Sequence, residues 1–291
     1  MNSMWRENCP AKLNLYLAVT GRRADGFHDL VSLVAKLDLC DTLEAVPSTK
    51  EADCLACDDA ELSAGPDNLV LKAAAAYRSR VPAAPFLAFT LTKRVPYGAG
   101  LGGGSSDAAA ALRIMNAASG HTLGDDALRD LAAGVGSDCP LFLVEGPCLM
   151  RGRGELLSLL TGPAADALMG RTLLLAKPHF GISTPWAYSS LAPASAFIPE
   201  AEAEAELSAW LAAPRGLPPL RNSFQKSVYA KYFVYNVLNK TLTSQTLPAL
   251  VLTGSGSAAF AFCEEDEALR MEKIVREHLG ADAFVRLCSL G

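Results

Sequence analysis

The 291-residue sequence contains no run of five or six like charges, and its formal net charge is −5. Nucleic-acid surfaces need clustered Lys and Arg, so no nucleic-acid partner is expected. No apolar run approaches the ~18 residues of a membrane span, and no membrane partner is expected. The apolar stretch Leu13–Val19 is short, is interrupted by Asn14 and is followed by no clear cleavage site. A secretory signal is therefore not expected. The eight cysteines form no regular framework and read as reduced thiols of a cytoplasmic protein. Cys54 and Cys57 make a single CxxC with no second pair and no nearby histidine, too little for a zinc site. With 50% hydrophobic and 20% charged residues, the chain can fold as one large or two ordinary domains.

Glycine, by contrast, is concentrated. Five glycines lie in the run Pro96-Tyr97-Gly98-Ala99-Gly100-Leu101-Gly102-Gly103-Gly104-Ser105-Ser106-Asp107. An apolar segment, Pro85–Leu91, precedes the run, and an alanine-rich one follows it. A backbone so bare of side chains can wrap closely around a ligand and turn its N–H groups inward. The following helix adds the positive end of its dipole, so the arrangement suits a phosphate. The bland alternative is a flexible surface loop. A Walker A loop is excluded, because Gly104 rather than Lys precedes Ser105. Gly98–Gly103 fits GxGxxG formally, which would imply a nicotinamide-dependent oxidoreductase. That design needs an acidic residue ~20 positions on, at the end of the next strand. The region beyond Gly120 reads as helix instead.

Periodicity gives the coarse organisation. Leu13, Leu15, Leu17 and Val19 lie on one face of a strand, with Lys12, Asn14 and Tyr16 on the other. Arg22–His28 reads as a turn, 29–46 as further strand, Asn68–Tyr77 as helix and Pro85–Leu91 as strand. Ala108, Ala111, Leu112, Met115 and Ala118 recur at helical spacing, with Ser105, Ser106 or Asp107 as expected cap. A second helix is expected from Asp125 or Asp126 to Gly134, and a short one from Pro140. Further on, strands are expected at 171–176, 247–252, 258–263 and 283–287, and helices near 184–191, 200–213, 222–240 and 266–279. Grouped, these give the β-α-β-β-α-β order of a ferredoxin-like split βαβ unit. Arg151-Gly152-Arg153-Gly154 is read as a hinge, which divides the chain into domains 1–152 and 153–291.

Pro96–Ala109 resembles the second motif of the GHMP kinase superfamily, which includes the galacto-, homoserine and mevalonate kinases. Pro10-Ala11-Lys12-Leu13-Asn14-Leu15 resembles its N-terminal motif, and Thr253-Gly254-Ser255-Gly256-Ser257-Ala258 its C-terminal glycine motif. Lys12-Leu13-Asn14-Leu15, Thr20–His28, Gly102-Gly103-Gly104-Ser105-Ser106-Asp107 and Gly136-Ser137-Asp138-Cys139-Pro140 resemble the branch that phosphorylates a cytidine-diphosphate-linked methylerythritol in non-mevalonate isoprenoid synthesis. The resemblance implies a two-domain α+β fold, an ATP-binding N-terminal domain and a ferredoxin-like C-terminal one. It also implies an enzyme that uses ATP and Mg²⁺ to phosphorylate the 2-hydroxyl of a small molecule. A homoserine- or mevalonate-type kinase is the alternative member, and a catalytically dead binding protein a further one. A monomer or weak homodimer is expected.

Carried onto this sequence, the resemblance makes Asp138 the catalytic base and Lys12 its cationic partner. A carboxylate can take the proton of an alcohol nucleophile, and a cation can stabilise the transferred charge. Without the resemblance, Asp138 reads as a cap before Pro140 and Lys12 as a solvated lysine. Pro96, Gly98, Gly100, Leu101, Gly102, Gly103, Gly104, Ser105 and Ser106 would bind the triphosphate, with Ser106 also holding the metal. Asn68 and Lys93 would lie near adenine. Phe27 and His28 would bind cytosine by stacking and hydrogen bonding, with Tyr188 as a second wall. Asn14, Thr184 and Asp138 complete the substrate set. Tyr97 and Asp107 stand where Met and Asn are familiar in the family, so the ATP pocket is expected to differ in fine shape. His121, His179 and His278 fall outside these motifs.

Overall fold

Long apolar stretches at both ends of the chain build sheets, and the glycine run links a strand to a helix. The computed structural model describes residues 4–191 and 197–291. The first elements are β1 (Trp5–Arg22), β2 (His28–Pro47), β3 (Cys54–Cys57), α1 (Leu69–Arg80) and β4 (Leu87–Thr92). Then come α2 (Gly103–Ala118), α3 (Asp125–Val135), a 3₁₀ turn (Cys139–Leu143), β5 (Cys148–Arg151), β6 (Leu156–Leu159) and α4 (Pro163–Asp166). β7 (Thr172–Lys177), α5 (Thr184–Ser189), α6 (Glu200–Ala212), β8 (Arg221–Asn222), α7 (Gln225–Lys231) and α8 (Val234–Ser244) follow. The described chain closes with β9 (Val251–Leu252), β10 (Ala259–Phe262), α9 (Glu265–Leu279) and β11 (Phe284–Ser289). None of the described helices is long and apolar enough to cross a membrane.

The chain divides into two units, each discontinuous in sequence. Unit 1 comprises residues 1–11, 39–95 and 102–145; unit 2 comprises 12–38, 96–101 and 146–291. In unit 1, β4 pairs antiparallel with β2, from Thr42↔Thr92 to Pro47↔Leu87, and parallel with β3. The core joins Leu43, Phe89 and Leu91 of these strands to Tyr77 of α1 and to Ala108, Ala111, Leu112 and Met115 of α2. Ala108 through Ala111 are fully buried, so α2 is enclosed nearly all round and its small side chains leave room for neighbours. The Tyr77 hydroxyl, inside this core, donates to Asn116 Oδ1 (3.0 Å), which satisfies a polar group that burial would otherwise penalise.

In unit 2, the first part of β2 pairs with β5 (Ser32↔Met150 to Val34↔Cys148), and β5 forms a hairpin with β6. β8 runs parallel to β1, with Tyr16 opposite Arg221. The second sheet has the order β11-β7-β10-β9 with every neighbouring pair antiparallel, the strand order of a split βαβ unit. This mixed content of helices and two sheets is the expected α+β class.

Several local expectations are corrected. Arg151–Gly154 is the turn of the β5–β6 hairpin, not a hinge. The helix expected over 222–240 breaks at Tyr232-Phe233 into α7 and α8. The strand expected over 247–252 is only Val251–Leu252. Ser105, Ser106 and Asp107 do not cap α2, because a left-handed Gly102 (φ 71°), ahead of Ser105, takes the cap position. Both faces of β1 are covered from Ala11 to Val19, and Lys12, Asn14 and Tyr16 are buried. Phe89 is 1% exposed in the unit 1 core. Phe89→Ala is expected to lower unfolding stability by about 3–5 kcal/mol, read from the urea midpoint at unchanged m-value.

Candidate active site

In unit 2 the buried polar face of β1 carries a directed hydrogen-bond chain. Lys12 Nζ donates to Asn14 Oδ1 (2.6 Å), Asn14 Nδ2 to Ser32 Oγ (2.9 Å), and Ser32 Oγ to the Tyr16 carbonyl (2.6 Å). The i, i+2 spacing of a strand puts Lys12 and Asn14 on one face, and the chain fixes the Asn14 amide with its oxygen toward the ammonium. The backbone of the same strand is tied to both glycine motifs of this unit. Lys12 N donates to Leu101 O (2.9 Å), and Asn14 N to Thr253 Oγ1 (2.9 Å).

Those two motifs meet back to back. Gly100 (φ +78°) and Gly254 (φ +55°) both adopt left-handed backbone. A Cβ on Gly100 would lie 2.7 Å from Thr253 O, and one on Gly254 would lie 2.8 Å from Gly100 O. No L side chain fits there, so the glycines are required by both conformation and space. Ala258 N donates to Ala99 O (3.1 Å) and Gly256 N to Thr253 O (3.0 Å), which hold the turns together. Beneath them Asn222, 7% exposed, donates through Nδ2 to the carbonyls of Leu252 (2.8 Å) and Gly254 (2.9 Å). Sequence reasoning passed over Asn222 as the start of a helix; its only signal was a lone amide between Leu220 and Phe224. Leu101 is buried, Tyr97 is 76% exposed, Pro96 is half-buried, and Gly98 is exposed with open space about it.

The remaining glycine-run residues belong to unit 1. Gly102 caps α2, and the amides of Gly103, Gly104 and Ser105 lie ahead of the first in-helix bond, from Ser106 N to Gly102 O (3.0 Å). Such N-terminal amides and the helix dipole suit an anion. Ser105 is half-buried, and its hydroxyl interacts with the Cys139 thiol. Burial, the largest influence on that thiol, pushes it up to about 11. The Asp138 turn therefore lies beside the first turn of α2. Asp138 precedes the 3₁₀ turn with Pro140 at its start, and its carboxylate makes no capping bond to that turn. Ser106 is fully buried and its Oγ has no hydrogen-bond partner among the described residues.

Asn68 caps α1: its Oδ1 accepts from Val70 N (2.9 Å) and its Nδ2 donates to Ser63 O (2.7 Å). The Lys93 ammonium donates to Asp41 and to Asp107 Oδ2 (2.8 Å), so it is engaged by two buried carboxylates and does not offer itself to a base. Burial alone would lower Lys93, but the two carboxylates raise it on balance. Burial pushes Asp107 up to about 7 against the pull of Lys93.

The pair expected at cytosine lies on a built turn of unit 2. Arg23 N donates to Phe27 O (2.8 Å) and Phe27 N to Asp25 Oδ1 (3.1 Å), while the Arg23 side chain bridges Asp25 and Asp29. Phe27 is 51% exposed, and the Arg153 guanidinium sits 4.6 Å from its ring centroid. The neighbouring His28 ring meets Tyr188 at 4.7 Å, and Tyr188 packs edge-on against Phe224 at 4.9 Å. Burial first, and the Arg22 charge second, hold His28 below its usual range, which favours a neutral imidazole with one donor and one acceptor. Thr184 Oγ1 bonds Ser255 Oγ (2.9 Å), joining α5 to the C-terminal glycine motif.

The chain is similar to known proteins over most of its length. The model for the GHMP kinases N terminal domain matches residues 68–146. The chain is 40% identical to the 4-diphosphocytidyl-2-C-methyl-D-erythritol kinase of Synechococcus sp. (strain CC9902), covering 89% of this chain and 87% of that one. It is 37% identical to the enzyme of the same name from Salinibacter ruber, covering 91% and 92%. A crystal structure of 4-(cytidine 5'-diphospho)-2C-methyl-D-erythritol kinase superposes with a TM-score of 0.78 at 31% identity, over 99% of this chain and all of that one. The Methanococcus jannaschii mevalonate kinase, at 15% identity and a TM-score of 0.73, shares the fold. With its glycine motifs, its Lys12–Asn14 strand and these relatives, the chain belongs to the 4-diphosphocytidyl-2-C-methyl-D-erythritol kinase family of GHMP kinases.

Proposed function

We propose that this ATP-dependent small-molecule kinase phosphorylates the 2-hydroxyl of 4-diphosphocytidyl-2-C-methyl-D-erythritol, giving the 2-phosphate and ADP. The observation that carries the reading within unit 1 is the placement of the Asp138 turn beside the glycine-led start of α2, through Ser105 and Cys139. The substrate assignment rests on the relatives of that name and on the Phe27–His28 turn.

In this reading the glycine run receives the triphosphate. Backbone amides at the start of α2 stabilise charge on the phosphoryl oxygens without side chains that would hold them off. The substrate 2-oxygen attacks the γ-phosphorus, the bond from phosphorus to the β–γ bridging oxygen breaks, and ADP leaves. Asp138 accepts the hydroxyl proton as the new P–O bond forms. Lys12, whose direction is set by Asn14, supplies positive charge to the transferring group. Mg²⁺ prefers oxygen ligands and is commonly carried on substrate phosphates with few protein groups. The two serine hydroxyls fit that need: Ser105 is the more exposed, and Ser106 Oγ is an oxygen with no partner among the described residues. The ion would screen the phosphate charges. Phe27 would stack on cytosine and His28 would read its edge, with Tyr188 packed behind the imidazole. Asn68 and the chain at Lys93 would border adenine. The reaction is assigned to the cytoplasm, where reduced thiols match eight free cysteines, and to a monomer or weak homodimer.

ADP release is expected only when ATP–Mg²⁺ and the cytidyl substrate are both present. Asp138→Asn is expected to lower kcat by about 10²–10⁴-fold in a coupled ADP-release assay, while calorimetry shows unchanged ATP affinity. Retained turnover in this variant removes Asp138 as the base. Phe27→Ala is expected to raise KM for the cytidyl substrate by about 10-fold, the low end of one lost stacking contact, with KM for ATP unchanged.

A further inference from the structure

We propose that Asp41 is a positioning residue for the nucleotide: with Lys93 and Asp107 it forms a buried clasp that closes the neck of the glycine loop. The proposal rests on the reading that this loop holds ATP. The loop leaves unit 1 after Val95 and re-enters it at Gly102. At that neck the two strands of chain touch, since a Cβ on Gly103 would lie 3.1 Å from Val95 Cγ1 and 3.4 Å from Asp41 Oδ2.

Asp41, on β2, is fully buried. Its Oδ1 accepts from Arg94 N (2.5 Å) and Val95 N (2.7 Å), the two residues immediately before the run. Its Oδ2 accepts from Lys93 Nζ, and the same ammonium donates to Asp107 Oδ2 (2.8 Å) in the first turns of α2. One ammonium thus ties the strand before the loop to the helix after it. Arg94 itself turns outward to Asp58 (3.5 Å), and the Cys9 thiol lies against Asp107. A cation shared by two carboxylates gives short, directional, charge-assisted bonds that resist distortion.

The geometry has a specific consequence for ligand binding. The loop's amides can cradle a phosphate only if both ends of the loop keep their separation and direction. Displacement of a binding backbone by ~1 Å can cost orders of magnitude. None of the three clasp side chains is offered to solvent as a ligand, so they act through Val95, Gly103 and the start of α2. Lys93 is thereby assigned to holding the loop.

The test is Asp41→Asn in the full chain, with steady-state kinetics in both substrates, ATP calorimetry and thermal melting. The amide keeps the shape but replaces one acceptor oxygen with a donor, which opposes Lys93 or the two backbone N–H groups. The expected result is a KM for ATP raised by about 10-fold or more, with matching loss of ATP affinity and KM for the cytidyl substrate unchanged within about twofold. A residue that serves stability alone would lower the melting temperature or the active fraction and leave both KM values in place, which would overturn the clasp. If Asp41→Asn does not fold, Asp107→Asn decides. It keeps an acceptor for Lys93 and is expected to raise KM for ATP several-fold; an unchanged value overturns the proposal. Wild-type protein that binds no ATP overturns the underlying functional reading, whereas wild type that binds ATP as well as both variants overturns the clasp alone.

Discussion

The close approach of Gly100 to Thr253 and Gly254 is the constraint on which the rest of unit 2 depends. Two turns meet with carbonyl oxygens where side chains would otherwise stand, and both turns need positive φ. Everything around them serves to hold that contact. Ala99 and Ala258 bond through the backbone, Asn222 supports the carbonyls from below, and Thr253 accepts from the β1 backbone at Asn14. The same strand then presents Lys12 with its ammonium directed by Asn14. The Lys12 strand is therefore fixed by main-chain bonds to both glycine turns, and its ammonium is directed by the Asn14 amide.

Burial of polar groups divides this molecule into places where chemistry is held and places where it is offered. Lys12, Asn14 and Ser32 are buried yet satisfied through one directed chain. Asp41 is buried and satisfied by three donors. Ser106 Oγ and Asp107 Oδ1 are buried without a partner among the described residues, an uncommon state that a folded protein retains at a cost. Both orphans lie in the first turns of α2, where the glycine run meets the helix. At the opposite extreme, Phe27 is held out to solvent on a turn braced by Arg23, Asp25 and Asp29.

Much of this was legible in the sequence because the residues involved carry local rules. Period-two spacing placed Lys12 and Asn14 on one face, and glycine density marked both turns. The ferredoxin-like order followed from apolar runs alone. What escaped was set by contacts distant along the chain. Asp41 lies in an apolar strand and gains its meaning only from Lys93, Arg94 and Val95, more than fifty residues on. Asn222 looked like the opening of a helix, but its amide is spent on carbonyls about thirty residues away. Arg151–Gly154 has the composition of a hinge, and only the pairing of β5 with β6 makes it a hairpin. Ser105–Asp107 have cap chemistry, but a glycine able to adopt left-handed backbone started the helix first.

The hydrogen bond from Asn14 N to Thr253 Oγ1 joins residues 239 positions apart. Contacts of such separation are slow to form, because the intervening chain must first be brought into place. On a ribosome, the N-terminal motif emerges long before its C-terminal partner exists. The contact around Gly100 is thus completed only once Thr253 and Gly254 have been made. A truncated chain that keeps Lys12 and the glycine run but stops before Thr253 lacks half of the turn contact that shapes them.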